Sequence, residues 1–160
     1  MALPDQVFES RRVENSQANS LSLVRFDCND YSVPTAYAHH QVTAVGGIEE
    51  VRFVVGDQLV ARHPRHWGKE HTEFNPVHYL ALLERKPGAF DYARPLEDWK
   101  LPVGFTVLRR RQEAVLQNLA TREFIKVLWL LEHATLPELT AAVDYALSIS
   151  ATSADAVRLI

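Results

Sequence analysis

A chain of 160 residues with 47% apolar side chains is long enough to bury a core as one domain or two small ones, which excludes a mainly disordered protein. Its formal charge of -3 and isoelectric point near 6.1 exclude a uniformly basic nucleic-acid coat. No stretch approaches the roughly 18 apolar residues of a membrane helix, and Asp5 and Glu9 break the basic-then-apolar order of a secretory leader, so a cytoplasmic protein with no membrane partner is expected.

Residues 1–19 show no apolar period and read as a linker leaving whatever precedes them. From Leu21 to His63 the period is two, with Val, Ile and Phe concentrated in 41–45, 48–55 and 58–63, so short strands are expected. Cys28, the one cysteine, cannot form an internal disulfide and reads as a buried strand thiol. Gly56-Asp57 is a two-residue hairpin signal and Gly46-Gly47 a second turn. Four or five such strands cannot leave both edges open, and the expected solution is a small antiparallel barrel of the SH3-like kind. Asn75 and Pro76 open a short connecting helix that Lys86-Pro87-Gly88 stops, which places the β-barrel with its helix at residues 20–89.

Residues 90–102, with Pro95, Trp99 and Pro102, have no period and read as a surface connector in which Trp99 is an anchor. Beyond Pro102 the period becomes 3.6. Phe105, Leu108, Gln112, Val115, Leu116 and Leu119 share a stripe, with Arg110 opposite and Arg109 and Arg111 at its margins. Phe124, Val127, Leu128 and Leu131 form a second stripe, and Ile125 and Trp129 a further one beside it. Thr135 with Glu138 is a capping-box pattern, and Ser153 is placed to cap a last short helix. The chain is therefore expected to be α+β, with a helical assembly region at 103–160.

Charge is unevenly placed. Residues 58–111 hold ten Lys/Arg against six Asp/Glu, a net +4, while the segments before and after are acidic. Arg62, His63, Arg65, His66, Trp67 and Lys69 form a cluster in which cations could neutralise phosphates and the indole could lie on a sugar or base, making it the leading DNA-contact candidate. The plainer alternative is a solvated basic loop with its Trp tucked onto the barrel. Arg109 and Arg110 form a second candidate phosphate clamp, against the alternative of a solvated face whose arginine stems shield apolar neighbours. Ile125 and Trp129 are candidates for self-association, against the alternative of core.

Catalysis is not legible. Glu49 and Glu50 face opposite ways on a strand, Glu97 and Asp98 lie in a loop, and the remaining acids are dispersed, so no carboxylate set for metal-assisted strand cutting is expected. There is no nucleotide cradle, and no cofactor is expected. Although His63, His66 and His71 are close in sequence, the spacing fits no zinc template, and no metal site is expected.

The blocks Asn29-Asp-Tyr-Ser-Val-Pro34, Ala61-Arg-His-Pro-Arg65 and Glu84-Arg-Lys-Pro-Gly-Ala89, within a match running from about Leu21 to the C-terminus, resemble the C-terminal part of IstA-type insertion-sequence transposases. The resemblance implies a barrel similar to that of phage Mu transposase, followed by a helical tail, with the family's ribonuclease-H-like catalytic core lying outside this chain. It further implies contact with transposon-end DNA, homo-oligomeric assembly with other transposase subunits and communication with the AAA+ ATPase helper IstB. The expected function is a non-catalytic DNA-binding and assembly module of a transposase. The alternative is a pure protein-interaction module that braces its neighbours.

Overall fold

A computed structural model describes residues 11–160, and the fold is α+β. The chain divides between Asn75 and Pro76 into two compact units, one of strands and one of helices.

Among the described residues, seven strands build the first unit: β1 (Arg12–Gln17), β2 (Leu23–Phe26), β3 (Asn29–Ser32), β4 (Gln41–Gly46), β5 (Glu50–Val55), β6 (Gln58–Pro64) and β7 (Thr72–Glu73). One sheet has the order β1-β4-β5-β6 and is antiparallel throughout. A second has the order β2-β3-β7, in which β7 runs parallel to β3. The period-two pattern from Leu21 onward feeds both sheets into one core: Val24, Phe26, Tyr31, Val42, Ala44, Val51 and Phe53 are all buried in a single cluster. Gly56 at φ 64 and Asp57 close the β5–β6 hairpin, as the sequence pattern expects.

Three features depart from expectation. Residues 12–17, expected within a linker, form β1, which pairs along its length with β4. Its side chains are exposed or half-buried, so the ladder and not a buried face holds it, and an apolar period could not betray it. Residues 1–10 of that linker lie outside the described residues. Cys28 is exposed, in the turn between β2 and β3, where Asp27 and Cys28 both have positive φ (47° and 65°) and make a two-residue hairpin without glycine. The short helix α1 (Leu80–Arg85), expected with the strands, belongs to the helical unit: it packs against α3, with Leu80 and Leu83 buried.

The second unit contains α1, α2 (Val103–Leu116), α3 (Ala120–Trp129), α4 (Leu136–Ser148) and α5 (Ala154–Arg158). Residues 87–96 wind through two 3-10 turns that set Phe90 edge-on against Phe124. Phe105, Leu108, Ile125, Val127, Leu128, Leu139, Val143 and Ala146 are the buried faces of α2, α3 and α4. Both expected caps are present. Thr135 and Glu138 exchange the two bonds of a capping box, and the Ser153 hydroxyl accepts from the Ala156 amide. Among the described residues no helix is long and apolar enough to cross a membrane.

Candidate nucleic-acid interface

Strand β6 and the loop after it carry the sequence-derived cluster, and the fold separates its members by exposure. Along β6 the faces alternate, so Ala61 and His63 point to the core while Arg62 and Pro64 point outward. Arg62 is exposed and lies directly across from Arg52 of β5. Two like charges in that position repel, and Glu50 relieves this by standing between them, Oε1 at 2.8 Å from Arg52 Nε and Oε2 at 3.3 Å from Arg62 Nε. The trio keeps one uncompensated positive charge on an exposed sheet face. Arg52 was missed by sequence reasoning, because its pairing with Arg62 depends on an irregularity in the ladder between Phe53 and Val54.

His63 does not face solvent. It is 3% exposed, lies 5.7 Å from the Tyr31 ring and donates from Nε2 to the Ser32 carbonyl at 2.6 Å. Burial lowers its pKa, which favours the neutral ring despite the bond to Ser32. Its sequence assignment as a DNA contact is therefore corrected: it is a core histidine. Arg65 is likewise turned inward, its side chain 8% exposed. Nη1 donates to the Gly47 carbonyl at 2.7 Å and Nη2 to Asp27 at 3.2 Å, while the guanidinium lies 3.8 Å from the Trp67 ring centroid and 5.4 Å from that of Phe26. Gly46 makes room for this stack, since a Cβ there would overlap the Phe26 ring. Arg65 thus ties the β6 end to two turns and is removed from the set of free phosphate ligands. Trp67 donates from Nε1 to the Ile48 carbonyl yet leaves its ring 66% exposed over Arg65. Lys69 is exposed and has no ion pair among the described residues.

Asn29 fixes the loop that carries these groups. Fully buried, it donates from Nδ2 to the His66 and Gly68 carbonyls, each at 3.0 Å, and accepts from the His71 amide on Oδ1. The Tyr31 hydroxyl accepts from the His66 amide, and the Glu70 amide donates to the Cys28 carbonyl. Glu70 sits at φ 58, a left-handed conformation held by this frame. His66 does not project as a lone cation: its Nε2 lies 2.8 Å from Glu73 Oε2, an oxygen that His71 Nε2 also approaches at 3.2 Å. Burial works against ionisation of Glu73, but the bonds from His71 and His66 prevail and hold its pKa below the ordinary value.

In the helical unit, Arg109 is bidentate to Asp91, at 2.8 and 3.0 Å, and lies over Phe90. Arg110 is exposed with no ion pair among the described residues. Ile125 is fully buried, which corrects its assignment to an interaction surface: it belongs to the core between helices. Trp129 is half-buried, and its Nε1 is buried with no hydrogen-bond partner.

Residues 3–75 match the Mu transposase C-terminal domain family. A transposase for insertion sequences IS1326/IS1353 from Pseudomonas aeruginosa is 29% identical over 163 residues, covering 98% of this chain and 31% of that protein, and the protein of the same description from Shigella flexneri matches equally. A transposase from Aminobacter aminovorans is 31% identical over 131 residues, 78% of this chain and 25% of its own length. The chain thus spans about a third of the length of the first two relatives. No solved structure matches it significantly. Residues 3–75 are thus similar to the Mu transposase C-terminal domain family, and nearly the whole chain is similar to part of the insertion-sequence transposases.

Proposed function

We propose that this chain is the DNA-binding and assembly portion of an insertion-sequence transposase, acting in the cytoplasm and leaving strand cutting to a catalytic domain outside it. The observation that carries the reading is the exposed cationic face of the β unit: Arg62 opposite Arg52 with a single carboxylate between them, followed on the same arm by the open Trp67 ring and by Lys69, which has no ion pair among the described residues. Point charges of this kind neutralise phosphates without reading sequence, while the indole offers a flat apolar surface to a sugar or base. Arg110 on α2 is the helical unit's contribution to phosphate contact. Arg109, held by Asp91, positions the 87–92 turn.

Counterion release gives the test. Binding of a transposon-end duplex should weaken steeply as salt rises, and a triple Arg52→Ala, Arg62→Ala, Lys69→Ala variant should lose about tenfold or more in affinity with a shallower salt slope. Equal binding by the two proteins at all salt concentrations would remove this face from the DNA reading. That result would favour the pure protein-interaction reading, which has its own support on α2. Val103 and Val107, one turn apart on that helix, are exposed, an apolar pair suited to another transposase subunit or, as the family resemblance implies, to the AAA+ helper IstB.

A further inference from the structure

We propose that His66, His71 and Glu73 form a binding site for a divalent first-row transition ion, with zinc the ion their chemistry fits best. Each of the three offers one ligand atom, and these atoms all lie within 4.8 Å of one another. Two contacts are shorter still, His66 Nε2 and His71 Nε2 standing 2.8 and 3.2 Å from the same Glu73 oxygen. Ligand atoms in one tetrahedral zinc shell, each about 2.0–2.2 Å from the ion, are separated by about 3.3–3.6 Å. The side chains need only small rotations to receive it.

The site is built rather than fortuitous. Sequence spacing gave no zinc template because the grouping is made by loop folding and by β7. Asn29 holds the backbone at both histidines, Tyr31 holds the His66 amide, and the parallel pairing of Glu73 with Tyr31 fixes the third ligand. Such backbone support lowers the ordering cost of closing a metal shell. The three side chains are between about a third and a half exposed, so an ion has an entry path and a fourth position remains for water. Two imidazoles and one carboxylate suit zinc, whereas magnesium prefers oxygen ligands and octahedral geometry.

Coordination balances simply. Each Nε2 presents a lone pair to the ion, so the proton now directed from that nitrogen to Glu73 is released or moves to Nδ1, and the carboxylate oxygen exchanges its hydrogen bonds for a metal bond. The bound ion replaces those bonds as the clip between the β6 end and β7.

The test is calorimetric titration of the full chain with zinc chloride, beside magnesium chloride, on the unmodified protein and on His71→Ala and Glu73→Gln, with circular dichroism to confirm that each is folded. One zinc per chain is expected, with a raised thermal midpoint, at least tenfold weaker binding in both variants, and no response to magnesium. Absence of stoichiometric zinc binding overturns the proposal. Binding that persists unchanged in both folded variants also overturns it, since the ion then sits elsewhere, such as at the adjacent His39 and His40. Should His71→Ala fail to fold, Glu73→Gln, which keeps a hydrogen-bond acceptor for both histidines, carries the decision.

Discussion

Both units bury an apolar core, but the β unit also draws several polar side chains inward, whereas the helical unit buries one. The β unit ties its turns together with polar groups drawn inward: Arg65 on Gly47 and Asp27, Asn29 on the His66–His71 loop, and His63 on Ser32. In the helical unit the apolar faces of α2, α3 and α4 carry most of the packing, with Gln112, donating to the Thr152 carbonyl, as its fully buried polar side chain. Short strands linked by tight turns expose many backbone groups that side chains must satisfy, whereas helices satisfy their own backbone and need only an apolar stripe. Sensitivity to substitution should therefore follow different chemistry in each unit.

The largest effect is expected where packing alone acts. Leu128→Ala, at a fully buried position of α3, should cost about 2–5 kcal/mol, read as lost hydrogen-exchange protection in α2, α3 and α4. A cost under about 1 kcal/mol would show that the helical core is loose. Arg65→Ala should cost about 1–3 kcal/mol in denaturant unfolding of the β unit, because the Gly47 carbonyl and Asp27 lose a partly buried partner and Trp67 loses the cation beneath it. Arg65→Lys should recover only part of this, since an ammonium cannot reproduce the planar stack. A full rescue by lysine would break the contrast drawn between the units.

The shallowest expected effect is a pH slope. His63 has a folded pKa below its ordinary value of 6.5, so below that pH the unfolded chain takes up a proton that the folded chain refuses. Its contribution to stability is complete above pH 6.5 and is lost as pH falls through the window between that value and the folded pKa. Replacing His63 with Gln should flatten this part of the profile, measured by denaturant midpoints of the folded variant. An unchanged slope would assign the acid sensitivity to other groups.

What the sequence conveyed depended on which force built each element. The β4, β5 and β6 strands, the Gly56-Asp57 hairpin, the Thr135 capping box and the Ser153 cap were all legible, because each rests on a local pattern of period or capping chemistry. β1 was not, because an edge strand held by its ladder leaves no apolar alternation to read. The turn at Asp27-Cys28 was also hidden, since non-glycine residues adopt positive φ there under tertiary restraint. At the candidate site, sequence reasoning grouped residues that the fold divides between surface and core. Arg62, Trp67 and Lys69 do reach the surface, whereas His63 follows the inward parity of β6, a parity that counting from buried Ala61 would have revealed. The convergence of His71 and Glu73 on His66 needed the β3–β7 pairing, which no local pattern announces.

One bulged residue settles whether the solvent meets Arg62 or His63. Counting from the hairpin, Val55 faces Gln58 and Val54 faces Leu59, but Phe53 faces Ala61, so Val60 is an additional residue inserted in β6. Were Val60 paired with Phe53 instead of bulged, every position beyond it would shift by one. Arg62 would then be driven inward beside Val51 while His63 swung out beside Glu50. A relative of this length in which residue 60 joins the ladder should thus present a different surface charge even where every flanking side chain is the same.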